Sequence, residues 1–308
     1  MKRIALLIGL IAGGIATLAR LIAPTGWDLS WALAGARALV AGGNPYTAPM
    51  PMDLPLFYPP PTLLAVLPIV WLPDTIASVI FSAVSAGVLA YAVVRYQPCA
   101  WPMLLSAPFW IAVLWSQWSL LITAAVLIPA LLPLAMCKPN LGLPVLLVRL
   151  PRRSSVLICA GVLLVCFALQ PTWLFDWLTN ALNSHDSAIP LLTIPGVLLV
   201  LAIPRWRDPR ARLLLGMACM PQRFYDPLAL WTIPQTARGG LLLSALSWLV
   251  CGAGALAAFV TPLAQPPLWL VVLALYIPAL VYVIANPMRS AVGAALPFES
   301  GTTTSSVN

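Results

Sequence analysis

Between Ile4 and Ile284 the chain returns again and again to uncharged apolar runs with no soluble-looking block between them. A run of about 20 apolar residues spans a bilayer as a helix, because in hydrocarbon the backbone must satisfy its own hydrogen bonds. Residues of hydrophobic type make up 61% of the 308 and charged residues 8%, and mean hydropathy is +0.96. Soluble domains are only about half apolar. The expected fold is therefore all-α, a polytopic integral membrane bundle of about 8–10 spans. One transmembrane domain covers residues 1–288. The tail, 289–308, has nothing to bury and is expected to be disordered on the cytoplasmic side.

The first apolar run, Ile4 to Ala23 behind Lys2 and Arg3, is read as a span rather than a cleaved signal, since no small-x-small site leads into a soluble chain. The 32 prolines are too many for straight helices, because an interior Pro removes a backbone hydrogen bond. Broken backbone is tolerated in a membrane where protein or a water-filled cavity surrounds it. Two pieces, Cys137 to Leu150 and Leu213 to Ile233, are short, Pro-interrupted and carry Lys138 or Arg223 and Asp226. They are predicted to be broken, re-entrant or strongly tilted. The six cysteines show neither CxxC pairs nor zinc spacing and are read as packing residues.

Formal net charge is +8, and its distribution speaks to topology rather than to nucleic acid, for which no role is expected. Lys and Arg stay on the cytoplasmic side of a membrane protein. Lys2, Arg3, Arg95, Arg149, Arg152, Arg153, Arg205, Arg207, Arg210, Arg212, Arg238 and Arg289 can all face one side with the N-terminus inside. Arg20, Arg37, Lys138 and Arg223 are left over. This orientation puts a first loop, residues 24–74, outside the inner (plasma) membrane.

That loop carries unusual detail. Asp28 opens LSWALAGARALVAGG, a run suited to a short interfacial helix that Asp28 can cap and that stops at Gly42-Gly43. Asn44-Pro45-Tyr46 is a turn signature. The chain stays Pro-rich to Tyr58-Pro59-Pro60-Pro61, then continues as TLLAVLPIVWLP, too short to cross before Asp74. A half-helix dipping into the membrane is expected there.

The pattern D-x(7)-A-x(2)-L-x-x-G-x-NPY, followed by YPP and a short Leu-Pro segment, resembles the first outer loop of the GT-C superfamily. In particular it is similar to the polyprenyl-phosphate-sugar-dependent glycosyltransferases that include bacterial α-mannosyltransferases of family GT87. Later segments match in the family's order: SQWSLLI (Ser116 to Ile122) resembles its GQxN-LL segment, and CKPNLGLPVLL (Cys137 to Leu147) its KPxP-LL helix. MPQRFYDPLALWTIP (Met220 to Pro234) is similar to a later Pro-led motif. Ser116 stands where Gly is customary, and Arg223-Phe224-Tyr225-Asp226 where many members carry His. The single His of this chain, His185, lies in another loop.

The resemblance implies inverting transfer of mannose, or another hexose or pentose, from a polyprenyl-phosphate donor to an extracytoplasmic glycan or glycolipid. Such a transfer needs a base for the acceptor hydroxyl and cations for the leaving phosphate. Asp28, at the family's loop-start Asp, is the implied base. Lys138 is an intramembrane cation, costly unless it faces a cavity or partner, and is a phosphate-binding candidate, or else a snorkelling Lys. Arg223, with Tyr225 and Asp226, is a candidate for phosphate or sugar; alternatively Arg223 and Asp226, three apart, pair on a helix. Tyr46 and Tyr58 are candidates to stack on sugar or to anchor at the interface, and Gln117 to bond hydroxyls. Asp53, Asp74, Asp176 and Asp186 read as solvated or capping acids without metal-binding spacing, so neither a metal nor a cofactor is expected. A transporter and a catalytically inactive GT-C-like scaffold are the rival readings.

Overall fold

The computed structural model describes residues 1–22, 28–148, 151–182, 188–260 and 266–286, leaving aside the side chains of Met52 and 256–260. Arg149, His185, Asp186, Arg289 and the tail expected to be disordered lie outside the described residues. Helix accounts for 79% of the structure and the described residues include no strand, so the protein is all-α. The one sheet-like pairing among the described residues is an isolated bridge between Ala188 and Gln222.

The N-terminal third follows the expected order. Helix α1 (Lys2–Ile22) is followed by α2 (Asp28–Val40), the seven-residue α3 (Pro60–Val66) and the 23-residue α4 (Asp74–Tyr96). Helix α2 ends where Gly42 takes φ 77°, a left-handed position that a residue with a Cβ rarely adopts. The amides of Gly42 and Gly43 close on Leu39 O and Ala38 O. Arg37 then reaches across to the start of α4, pairing with Asp74 at 2.6 Å and donating to the carbonyls of Val70 and Leu72. The YPPP segment starts α3 with Pro in its first turn, where the missing N–H costs nothing.

The middle of the chain is built from fragments. Helices α5 (Ala107–Leu114) and α6 (Ser119–Leu127) are separated by four residues, Trp115 to Trp118. Helix α7 (Pro139–Val148) follows a 3-10 stretch, Pro129–Cys137. Helices α8 (Arg153–Leu169) and α9 (Trp173–Leu182) meet at a bend of 95°. A 3-10 run, Pro195–Arg205, precedes α10 (Pro209–Cys219). Most breaks begin on a proline: Pro98, Pro129, Pro139, Pro195, Pro209 and Pro227 all sit in the first turn of a new element. Each fits there because the first-turn amide has no intrahelical acceptor. Of the two segments predicted to be broken, re-entrant or strongly tilted, Leu213 to Ile233 is broken, α10 giving way to irregular chain at Met220 before a 3-10 turn, Pro227–Thr232; in Cys137 to Leu150 the described chain is the continuous ten-residue helix α7, which holds Pro144 and is short for a crossing. The apolar runs Trp118 to Pro133 and Ile189 to Ile203 are also fragmented, the latter wholly into 3-10 turns.

The C-terminal part is again long helix: α11 (Ala237–Val260), then α12 (Leu268–Val271), a π-turn (Val272–Tyr276) and α13 (Ile277–Ala285) running on as one rod. Among the described residues four helices are long and apolar enough to cross a membrane, namely α1, α4, α11 and the α12–α13 rod, and the bent α8–α9 pair makes a fifth if counted as one crossing. Large apolar side chains face outward, among them Leu6, Leu10, Leu157, Leu164, Leu249 and Val281. A soluble surface does not carry such an expanse; a surface in contact with lipid does. The chain is an all-α membrane-embedded protein.

Inside, one continuous core joins Leu29 and Leu33 of α2 to Leu63, Leu89, Phe109, Leu120 and Trp231. Helices α1 and α4 come closest through small residues, as is common between helices in lipid, where tight packing replaces the hydrophobic drive. A Cβ built on Gly9 would lie 2.9 Å from Ala83 O, whereas one on Gly14 meets nothing within 4 Å. Gly9→Val is therefore expected to lower stability by about 1–3 kcal/mol through overpacking. Gly14→Val should stay within about 0.5 kcal/mol. Thermal unfolding of both variants in one detergent checks the pair.

Candidate functional site

Asp28 begins α2, and its N–H donates to Trp115 O at 3.2 Å, tying the first loop to the gap between α5 and α6. Its carboxylate Oδ2 accepts a hydrogen bond from the Tyr58 hydroxyl, thirty residues along the chain. The structure thus gives the carboxylate a partner across the loop, in place of the expected cap on its own first turn. Burial, followed by the nearby Asp28 charge, holds the Tyr58 phenol well above its ordinary pKa, so Tyr58 is a neutral donor.

Tyr58 is itself fixed from several sides. The prolines after it restrict its backbone to extended conformations. The Tyr46 hydroxyl donates to Tyr58 O at 3.0 Å, and the Tyr46 amide is turned inward by Asn44 Oδ1 at 2.9 Å, an Asx turn. From α9, Trp177 Nε1 donates to Phe57 O at 2.9 Å and Asn180 Nδ2 to Leu56 O at 3.2 Å. Tyr46 therefore supports the site from behind, through the backbone of Tyr58.

A second half of the site comes from the fragmented middle. Lys138, between the 3-10 stretch and α7, donates to Asp226 Oδ1 at 2.8 Å and to Gln117 Oε1 at 3.0 Å. Its ammonium also lies 5.7 Å from the centre of the Tyr225 ring, within cation–π range. The side chains of Lys138 and Asp226 are 14% and 1% exposed, so this ion pair is buried rather than snorkelling toward solvent. Asp226 Oδ2 accepts from the Arg223 amide at 2.8 Å, while the Arg223 guanidinium donates to the Tyr225 hydroxyl at 3.0 Å. The alternative in which Arg223 and Asp226 pair along a helix is corrected as to the helix: the contact between them runs from the Arg223 amide to the Asp226 carboxylate. Residues 220–226 form turns, not a helix, and the Asp226 side chain binds Lys138.

Trp115 and the electrostatics join the two halves. The Trp115 ring meets Tyr225 edge-on at 4.9 Å, while its carbonyl holds the Asp28 amide. Burial first, then the charges of Asp28 and Asp226, raise the Tyr225 pKa, with Arg223 opposing. For Arg223 burial disfavours the charge, but Tyr225, Asp28 and Asp226 outweigh it and the guanidinium stays charged. Asp28, Tyr58, Gln117, Lys138, Arg223, Tyr225 and Asp226 thus form one cluster assembled from five separate stretches of chain. Two polar atoms beside it, Gln117 Nε2 and Tyr276 Oη, are buried with no hydrogen-bond partner.

The other acids stand apart. Asp53 is exposed, Asp74 pairs with Arg37, and Asp176 gathers Asn44, Gln170 and Thr172 around one oxygen. A narrow apolar crevice lined by Leu39, Pro60, Leu64 and Leu169, with no room for a water molecule, contains none of the clustered side chains. The polar cluster is therefore singled out by chemistry rather than by shape.

Sequence reasoning missed Trp115, whose role is split between its carbonyl and its ring, and the α9 pair Trp177 and Asn180. It also left Arg20 and Ser116 without roles. Ser116 has φ 52°, in the left-handed region. Its place in the resembling family's motif is customarily Gly, and that was the available signal.

Truncating one member of the buried ion pair should cost more than replacing both. Asp226→Asn leaves Lys138 charged in an apolar site and is expected to destabilise by about 3–5 kcal/mol. Asp226→Leu combined with Lys138→Met should cost clearly less than the sum of the two single changes, a coupling that a double-mutant cycle on thermal or denaturant unfolding measures.

Comparison of the chain with protein-family models, with curated proteins and with solved structures returns no match in any of the three.

Proposed function

We propose that this protein is a membrane glycosyltransferase of GT-C type. It moves a hexose or pentose, with mannose the first candidate, from a polyprenyl phosphate to a hydroxyl of a glycan or glycolipid. The observation that carries the reading is the assembly of two carboxylates, Asp28 and Asp226, with two cations, Lys138 and Arg223, around buried tyrosines in an apolar bundle. Ionisable side chains gathered away from water are costly and commonly mark sites of chemistry or transport in membrane proteins, which favours an active site over a bare scaffold. The ordered sequence resemblances run through the same residues.

In the proposed reaction the acceptor oxygen attacks the anomeric carbon while the bond from that carbon to the phosphate oxygen breaks. The bonding pair leaves with the phosphate, and the acceptor proton passes to Asp28. Tyr58 holds Asp28 Oδ2, leaving Oδ1 to face the acceptor. Lys138 and Arg223 offset the charge gained by the leaving phosphate, which is where fixed electrostatics contribute most. A donor phosphate reaching Lys138 competes there with the Asp226 carboxylate. Neither a metal nor a cofactor enters the scheme.

The accompanying topology keeps the N-terminus in the cytoplasm and the first loop outside the inner membrane, with fragment pairs such as α5 with the 3-10 run before it adding crossings toward about 8–10.

Asp28→Asn preserves shape and removes the base. In proteoliposomes supplied with a panel of radiolabelled polyprenyl-phosphate sugars, it should lower transfer by about a hundredfold or more with unfolding temperature unchanged. Transfer at the wild-type rate would overturn the assignment of the base. Lys138→Met should raise the donor KM in the same assay.

A further inference from the structure

Arg20 fits no part of the charge pattern: it is a cation near the end of an apolar 21-residue helix, and it is 2% exposed. Its guanidinium crosses to the gap between α5 and α6, where Nη1 donates to Leu114 O at 2.7 Å and Nη2 to Ser116 Oγ at 2.6 Å. The polar chain continues: Ser116 Oγ lies 3.0 Å from Ser82 Oγ, and Ser82 donates to Val113 O at 2.8 Å. One guanidinium therefore ties down Leu114 directly and Val113 through two hydroxyls.

Both carbonyls lie in the last turn of α5, where helical donors run short; Val113 O receives only the turn amides, that of Ser116 at 3.4 Å among them, and a cation at a helix C-terminus also meets its negative dipole end. The residues between and beyond them face the site. Trp115 gives its carbonyl to the Asp28 amide and its ring to Tyr225. Gln117 gives Oε1 to Lys138, and its own amide returns to Ala112 O at 2.8 Å. Ser116, between them, takes the left-handed φ of 52°. A non-Gly residue there is strained and persists when its surroundings hold it. The hydroxyl that costs this strain is the one Arg20 grips.

We propose that Arg20 is a positioning residue. Through the Leu114–Gln117 turn it sets Trp115 against Asp28 and Tyr225, and Gln117 against Lys138. The inference rests on the transferase reading of that cluster for its catalytic consequence, though not for its geometry. Packing alone does not require a charge here, since Leu or Met would fill the same helix position without desolvating a guanidinium. The planar fork matters as well, because two acceptors on different atoms are served at once, which a Lys ammonium on a single stem does less well.

The test compares the full chain with Arg20→Gln, Arg20→Lys and Ser116→Ala in proteoliposomes, by amide hydrogen exchange and by sugar transfer from radiolabelled polyprenyl-phosphate mannose and the other sugars of the panel. In Arg20→Gln the amides of residues 112–118 and of Asp28 should exchange about tenfold faster, with those of α11 unchanged. In the transfer arm kcat should fall about a hundredfold, as for a misplaced catalytic group, while donor KM shifts by less than about threefold. Arg20→Lys should recover part of both effects. Ser116→Ala removes the relay hydroxyl without touching the charge and should give a milder copy, which serves if the Arg20 variants do not fold. Exchange unchanged over residues 112–118, or faster in every helix alike, would overturn the positioning role, as would an unaltered kcat in Arg20→Gln. Should the wild-type protein transfer none of the sugars, the transferase reading falls, and the exchange arm decides the role of Arg20 by itself.

Discussion

A helix broken inside an apolar bundle leaves carbonyls at one end and amides at the other with neither water nor a helical partner, and each such group is costly until something bonds it. In this protein buried charged side chains meet that need. Arg20 serves the end of α5, and Asp226 accepts the Arg223 amide in the turn before the 3-10 segment 227–232. Asp208 caps α10 while paired with Arg210, which in turn bonds Asn286 O beyond α13. Charge and break support each other: the break supplies dipoles that make the buried charge tolerable, and the charge supplies the partner that makes the break tolerable.

The candidate site is the place where several of these arrangements meet. Lys138 stands at a break and has its counter-charge, Asp226, at another. Gln117 stands at a third and is bonded to the same ammonium. Each participant sits at a fixed place in the broken backbone and is bonded to its partner, an arrangement that suits chemistry dependent on preorganised dipoles and charges. The first loop adds Asp28 and Tyr58 from the other side, stiffened by proline and clamped by α9 through Trp177 and Asn180.

Much of this could be read along the chain. Apolar runs and proline density gave an all-α membrane bundle with broken helices, because the bilayer admits few other ways to satisfy the backbone. Eight site residues were chosen from the sequence; seven come together in one cluster, and the eighth, Tyr46, stands immediately behind Tyr58. Lys138 was legible because a lone cation in an apolar stretch needs a partner. The identity of that partner was not legible: Asp226 is closer in sequence to Arg223, and spacing alone favoured that pairing. The extent of fragmentation was also underread, since Pro129, Pro133 and the prolines from 190 to 204 each allow either a kink or a full stop, and packing chooses.

Local sequence thus determined what each segment can be: where helices start on proline, where Gly42 ends one, which stretches face lipid, and which few side chains carry charge. Which of those charges meet was decided only by the tertiary structure. Arg20 and Ser116 are 96 residues apart, and Lys138 and Asp226 are 88 apart. The physical reason is that a buried charge is stabilised by whatever dipole or counter-charge the packing brings within a few ångströms. No periodicity along the chain encodes that distance.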